Sequence, residues 1–224
     1  MVLTVNDLYV FVQKVIRKNQ AGSLSATEFS TFWNDAQRAY MGDLLGRFQM
    51  RSNGKLGLNT GLILNETILT KLAPFTKTAT LAITSGSATK PTGLLYRLAL
   101  RTNDFDIVFI NHGQISEVKK SVIDPPSVAD NMYYAYEIEN TYKFLPSTIS
   151  TAEINYIGDV TNIVWGYTLD GNGRQVYSSG ASTQSLWDDV SNMEITKRML
   201  QDIGLSLKDR DFQNFGNQNV ITGD

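Results

Sequence analysis

Apolar residues recur at helical spacing through the first fifty positions. Leu8, Phe11, Val12, Val15 and Ile16 fall at i, i+3, i+4, i+7 and i+8, a single stripe along one helix face. Asn6 precedes the stripe as an N-cap and Gly22 follows it as a stop. Ser25 and Glu28 then form a capping box, each side chain meeting the other's orphan amide. Behind it Phe29, Phe32, Trp33, Ala36, Tyr40, Leu44 and Phe48 keep helical spacing over about 25 residues, roughly 37 Å of helix. A short turn between the two predicts an antiparallel helical hairpin over 1–51. Gly42 and Gly46 lie on one face of the long helix, each costing about 1 kcal/mol relative to Ala. Either they admit a neighbouring helix or subunit, or the helix frays after Met41.

The period changes after a glycine-bearing loop at 52–61. A short helix at Asn65–Ala73, ended by Pro74, leads into Thr76–Thr84, which alternates and is rich in β-branched residues, as strands are. A turn at Ser85–Thr89, a strand at Leu95–Thr102 and a short apolar strand at Ile107–Ile110 follow. Gln114–Ile123 reads as a helix ended by Pro125-Pro126, which is also the best candidate joint. Met132–Glu139 alternates with Tyr134, Tyr136 and Ile138 on one side and Tyr133, Ala135 and Glu137 on the other. Lys143–Leu145, Ala152–Ile157 and Ile163–Thr168 continue the strand character. Asp170-Gly171-Asn172-Gly173 predicts a hairpin turn returning through Gln175–Ser178. A last helix runs from Asp188-Asp189 to Asp202, with Val190, Ile195, Met199 and Ile203 on its stripe and Gly204 closing it. Asp209–Asp224 is an extended polar tail. Helices, then strands, then a helix make an α+β fold, divided as a hairpin at 1–51, a β-rich core with a closing helix at 52–208, and a tail at 209–224.

Composition narrows the chemistry. The 224 residues contain no cysteine and one histidine, His112, which removes disulfides, Cys-zinc centres, thiol catalysis and multi-histidine metal sites. Twenty Lys and Arg against 22 Asp and Glu give a net charge of −2, so the chain has no built-in pull on nucleic acid or anionic lipid. Val2–Val5 lacks the basic flank of a leader, and no stretch approaches the ~20 apolar residues of a membrane span. His112 has no Gly-x-Ser-x-Gly elbow to serve. Asp188-Asp189 reads as a helix cap, Asp104 and Asp106 as turn acids, and Asp170 as part of its turn. Arg47/Arg51 and Arg97/Arg101 are small pairs, not a basic stripe. Phosphate-cradling glycine motifs are absent, and Tyr133-Tyr134-x-Tyr136 reads as a half-buried sheet face. No catalytic, cofactor or metal residues are expected.

Several segments carry a resemblance through their order and spacing. They are Thr4-Val5-Asn6-Asp7-Leu8-Tyr9-x-Phe11-Val12, then Phe32-Trp33-Asn34-Asp35-Ala36-Gln37-x-Ala39-Tyr40, then Asn65-Glu66-x-x-Leu69-x-x-Leu72-x-Pro74-Phe75. Further on come Leu145-Pro146-Ser147-Thr148-Ile149, Leu186-Trp187, and Ile203-Gly204-Leu205-Ser206-Leu207-Lys208-Asp209. Across nearly its whole length the chain resembles ring or head-to-tail connector (neck) proteins in the virions of tailed phages of Bacteroidota, the crAss-like phages among them. The resemblance implies a non-enzymatic structural subunit, made in the host cytoplasm and located in the virion. It implies a homo-oligomeric ring, usually a dodecamer, binding the portal protein and adjacent neck or tail proteins, with DNA passing the lumen unbound and no membrane contact. On this reading Trp33, Tyr40, Gly42, Gly46, Trp187, Phe212 and Phe215 are candidate interface residues. A tail terminator or hub component is the alternative, and a hydrolase using paired carboxylates a third.

Overall fold

A computed structural model describes residues 3–18, 22–52 and 66–206. The fold is α+β, and the chain divides into two compact units. One combines Met1–Pro74 with Val160–Asp224, and the other is Phe75–Asp159. The boundaries therefore differ from the expected 1–51 and 52–208. The segment after residue 160 returns to the helices, and Pro125-Pro126 sits in a loop within the second unit rather than at a joint.

The helical unit holds α1 (Val5–Lys18), α2 (Ala26–Ser52), a short helix α3 at 66–72, and α5 (Asp189–Ser206). α1 is capped by Thr4, not Asn6. The Asp7 carboxylate accepts from the Thr4 amide at 3.0 Å, and the Asp7 amide donates to Thr4 Oγ1 at 3.2 Å. Asn6 is used elsewhere: its Oδ1 accepts the Trp165 indole N–H at 3.1 Å. The Ser25–Glu28 capping box at α2 forms as expected, with the Ser25 amide 2.9 Å from Glu28 and the Glu28 amide 3.2 Å from Ser25 Oγ. α2 buries Phe29, Trp33, Ala36, Gln37, Tyr40, Met41 and Leu44, a continuous 3.6-period face that packs along α5. It runs unbroken past Gly42 and Gly46 to Ser52, so the glycines do not end it. α5 begins at the expected cap, Asp188 Oδ1 accepting the Ser191 amide at 2.8 Å, and continues past Gly204 to Ser206. Its buried face is Ser191, Asn192, Ile195, Thr196, Met199, Leu200 and Ile203, whereas Val190 is exposed. Two short strands, β9 (Tyr167–Leu169) and β10 (Gln175–Tyr177), form the predicted hairpin. Its turn is held by Asp170 Oδ1, which accepts the Asn172 and Arg174 amides at 2.9 and 2.8 Å.

The second unit is a pair of four-stranded sheets packed face to face. One has the order β1 (Thr76–Ala82), β8 (Thr151–Gly158), β3 (Leu94–Thr102), β4 (Phe105–Asp106), all antiparallel. The other is β2 (Ser87–Thr89), β7 (Thr141–Leu145), β6 (Tyr134–Ile138), β5 (Val108–Phe109), with β5 and β6 parallel. Leu81, Leu100, Ala152, Ile154 and Tyr156 from the first sheet meet Ala88, Tyr133, Ala135, Tyr142 and Phe144 from the second, the period-2 pattern burying one face of each. Residues 85–89 are not all turn. Ser85 and Gly86 make a tight reversal with φ of 51° and 70°, and Ser87–Thr89 already pairs with β7. A Cβ at Gly86 would come within 2.7 Å of Ser147 Cβ, so glycine is required by both conformation and space. The helix expected at Gln114–Ile123 is shorter. α4 spans Ile115–Lys120, because Val122 and Ile123 find nothing to pack against. The glycine loop and the tail with Phe212 and Phe215 lie outside the described residues.

Candidate functional site

The three aromatic residues expected at an interface are internal. Trp33, Tyr40 and Trp187 are 0, 2 and 4% exposed, because the aromatic face of α2 is the one turned towards α5 and the chain before it. Tyr40 meets Trp187 edge-on at 5.2 Å between centroids, and its hydroxyl lies 3.2 Å from Ser191 Oγ. Lys71 donates to the same hydroxyl at 3.0 Å, and the Arg198 guanidinium lies 5.4 Å from the ring centroid. Burial opposes the Lys71 charge, but Tyr40, Glu194 and Asp188 outweigh it and hold the ammonium above the ordinary lysine range. Arg198 is engaged by Asp43 at 2.6 Å. This Lys–Tyr–Ser chain links a half-buried ammonium to two buried hydroxyls.

Below Tyr40 lies a ladder of side-chain amides that the sequence did not signal. Asn34 Nδ2 donates to the Ile163 carbonyl at 3.1 Å, while its Oδ1 accepts the Ile163 amide at 2.9 Å. Gln37 Nε2 donates to Asn34 Oδ1 at 2.8 Å and to the Thr161 carbonyl at 3.1 Å. Gln37 Oε1 accepts the Trp187 indole N–H at 3.3 Å. Together they fasten irregular chain onto α2.

Gly42 and Gly46 behave differently from the aromatics. A Cβ at either would meet no described atom within 4 Å, so this strip of α2 faces open space and is thin enough for close approach. Of the seven residues singled out as candidates, these two are the ones that the described structure leaves available to a neighbour.

Grooves open in both units. In the sheet unit, a groove of about 660 Å³ is lined by Lys90, Leu95, Tyr96, Arg97, Glu137 and Tyr142 among others. Its charges are already engaged. Lys90 pairs with Glu137 and donates to the Glu139 carbonyl at 2.8 Å, and Arg97 stacks on Phe109 at 3.4 Å. Burial pushes the Tyr142 hydroxyl above its ordinary value. In the helical unit, a groove of about 430 Å³ follows the first half of α2 past Ile163, Val164 and Trp165 to Ala181. Gly166 in its wall lies so close to the short 3-10 helix Ser179–Ala181 that a Cβ would sit 2.2 Å from the Ala181 carbonyl oxygen.

The acids named from the sequence act locally. Asp106 pairs with Arg101 at 2.8 Å and raises the guanidinium's pKa. His112 Nε2 lies 2.8 Å from the Glu137 carbonyl in an exposed turn. Asp202 is the one described carboxyl held above its ordinary range. Crowding by protein, although the residue is exposed overall, and the nearby Asp35 charge raise it, with Arg198 opposing. Asp35 and Asp202 are both exposed. Among the described residues no cluster of three metal-ligating side chains occurs, and no helix is long and apolar enough to cross a membrane.

Comparison with known proteins finds no family model and no curated protein that matches this chain.

Proposed function

We propose that this chain is a structural subunit of a phage head-to-tail connector, forming a homo-oligomeric ring below the portal and around the DNA exit channel. The observation that carries the reading is the asymmetry of α2. Its aromatic face is consumed inside the helical unit, while its opposite side carries Gly42 and Gly46, where an added Cβ would meet no described atom within 4 Å. A long helix with one thin, uncovered side suits lateral packing between neighbouring copies. The resemblance in segment order supplies the particular assembly, and a net charge of −2 suits a lumen that lets DNA pass rather than grip it. A tail terminator or hub component would share the ring and differ in its position in the particle.

Negative-stain electron microscopy of the purified chain at micromolar concentration tests the reading. Annular particles with a central channel are expected. A field of monomer-sized particles at every concentration would overturn it.

A further inference from the structure

Two adjacent branched side chains stand almost wholly in water at the tip of the loop after α4. Val122 is 94% exposed and Ile123 is 89% exposed, more than any other large apolar residue described. Single exposed apolar residues are ordinary, but a neighbouring pair at this exposure is not. The loop is held in shape. Ser121 Oγ accepts the Asp124 amide at 3.0 Å, Ser127 Oγ accepts the Asp130 amide at 3.2 Å, and the Tyr134 hydroxyl donates to the Asp124 carbonyl at 3.3 Å. Past Pro125-Pro126, Ser127 and Met132 close the adjoining turn at 128–131 with two main-chain hydrogen bonds, 3.1 and 2.9 Å. A knob presented on a rigid stalk loses little conformational freedom when it docks.

The same chain carries a receptacle of matching chemistry, the 430 Å³ groove beside α2. Ala26 and Ala181 leave it wide, and Val164 stands on its rim at 43% exposure. Along the stretch 163–166 that forms its apolar wall, the main-chain groups named next are already engaged. The Ile163 amide and carbonyl are taken by Asn34, the Trp165 amide donates to Ser30 at 3.3 Å, the Gly166 amide to Ser182 at 2.9 Å, and Val164 exchanges main-chain hydrogen bonds with Thr183 at 3.0 and 3.3 Å. The wall formed by Ile163, Val164, Trp165 and Ala181 thus presents apolar surface suited to an apolar occupant.

We infer that Val122 and Ile123 of one copy seat in the α2 groove of the next, so that copies of this chain join head to tail. The inference rests on the ring reading and names its subunit contact. Knob and groove are different patches, so every added copy leaves one of each unsatisfied until a ring closes, whereas a two-fold contact would stop at a dimer. A lipid surface fits less well. Lys119 and Lys120 precede the knob but Asp124 and Asp130 follow it, and two apolar side chains without a basic patch make a weak membrane anchor.

The test uses two full-length variants, Ile123→Lys and Val164→Glu, both at exposed positions, with unchanged melting temperatures as the check on folding. In native mass spectra each variant alone is expected to lose the wild-type assembly, burial of one such side chain being worth roughly 10- to 100-fold in affinity. Mixed in equal amounts, they should give a 1:1 dimer and nothing larger, because the Val164→Glu chain keeps its knob and the Ile123→Lys chain keeps its groove. Wild-type-like assembly by Ile123→Lys would overturn the contact and leave the ring standing, and a mixture with no dimer would also overturn it. Assembly lost on deleting 209–224 but kept in Ile123→Lys would give the groove to the polar tail. A wild type that never assembles would remove the ring reading and this contact together. Sedimentation with phosphatidylcholine–phosphatidylserine vesicles that depends on Ile123 would reassign the knob to lipid.

Discussion

The two units solve the same problem, the burial of main-chain polar groups, in different ways. In the sheet unit the strands pair with one another, and Thr102 is its one described buried polar side chain. In the helical unit Gln13, Asn34, Gln37, Ser191, Asn192 and Thr196 are all buried. Three of these, Asn34, Gln37 and Asn192, hold the chain between Val160 and Asp188, which apart from the β9–β10 hairpin and the Val164–Thr183 bridge has no sheet ladder. Its amides and carbonyls must find partners in side chains. Asn34 meets Ile163 as a strand would, giving and receiving one bond. The sheet unit is thus specified by alternation and volume, and the helical unit by a few amides whose loss nothing nearby can replace.

That contrast can be broken from either side. The largest expected effect is Phe144→Ala in the sheet core, a loss of about 3–5 kcal/mol from lost burial and cavity formation. Urea denaturation checks it, and a change below about 1 kcal/mol would mean a core far looser than its packing indicates. Asn34→Leu comes next at about 2–4 kcal/mol, since it orphans the Ile163 amide and carbonyl in a dry place. Hydrogen exchange should show lost protection at residues 161–165 while β6 and β7 keep theirs. Uniform loss across both units would show that the amide ladder is not local in its effect. Ser25→Ala, which removes the α2 cap, should cost about 1 kcal/mol, seen as a lower melting temperature.

The smallest effect carries a pH signature. Asp202 titrates above its unfolded value, so its charged form is penalised in the fold. Stability is free of that penalty below the unfolded pKa and declines as pH rises through the folded one. Asp202→Asn should therefore stabilise the protein by a few tenths of a kcal/mol at neutral pH and have no effect in strong acid. The reverse order would show that Asp202 makes a favourable contact.

Legibility followed periodicity. β1, β3, β6 and β8 were readable because one face of each is buried, and Ser25–Glu28, Asp170 and Asp188 because their work is local. Asn6 misled because a cap residue and an acceptor for a distant indole look alike in sequence, Trp165 lying 159 positions away. On α5 the inward face mixes Ser191, Asn192 and Thr196 with apolar residues, so the stripe seemed to run through Val190. β4 is two residues long, too short for any period to register, whereas the apolar run Ile107–Ile110 marked β5, Val108–Phe109. Aromatic content marked Trp33, Tyr40 and Trp187 as interface material, yet large rings serve a core equally well. Only exposure in three dimensions distinguishes the two uses, and it places these three rings in the core.

The central claim is assembly, and the native mass spectrum of the unmodified chain at micromolar concentration tests it most directly. One closed oligomer is expected, of about twelve copies as the resemblance implies. A single 24.9 kDa species at every concentration would contradict it.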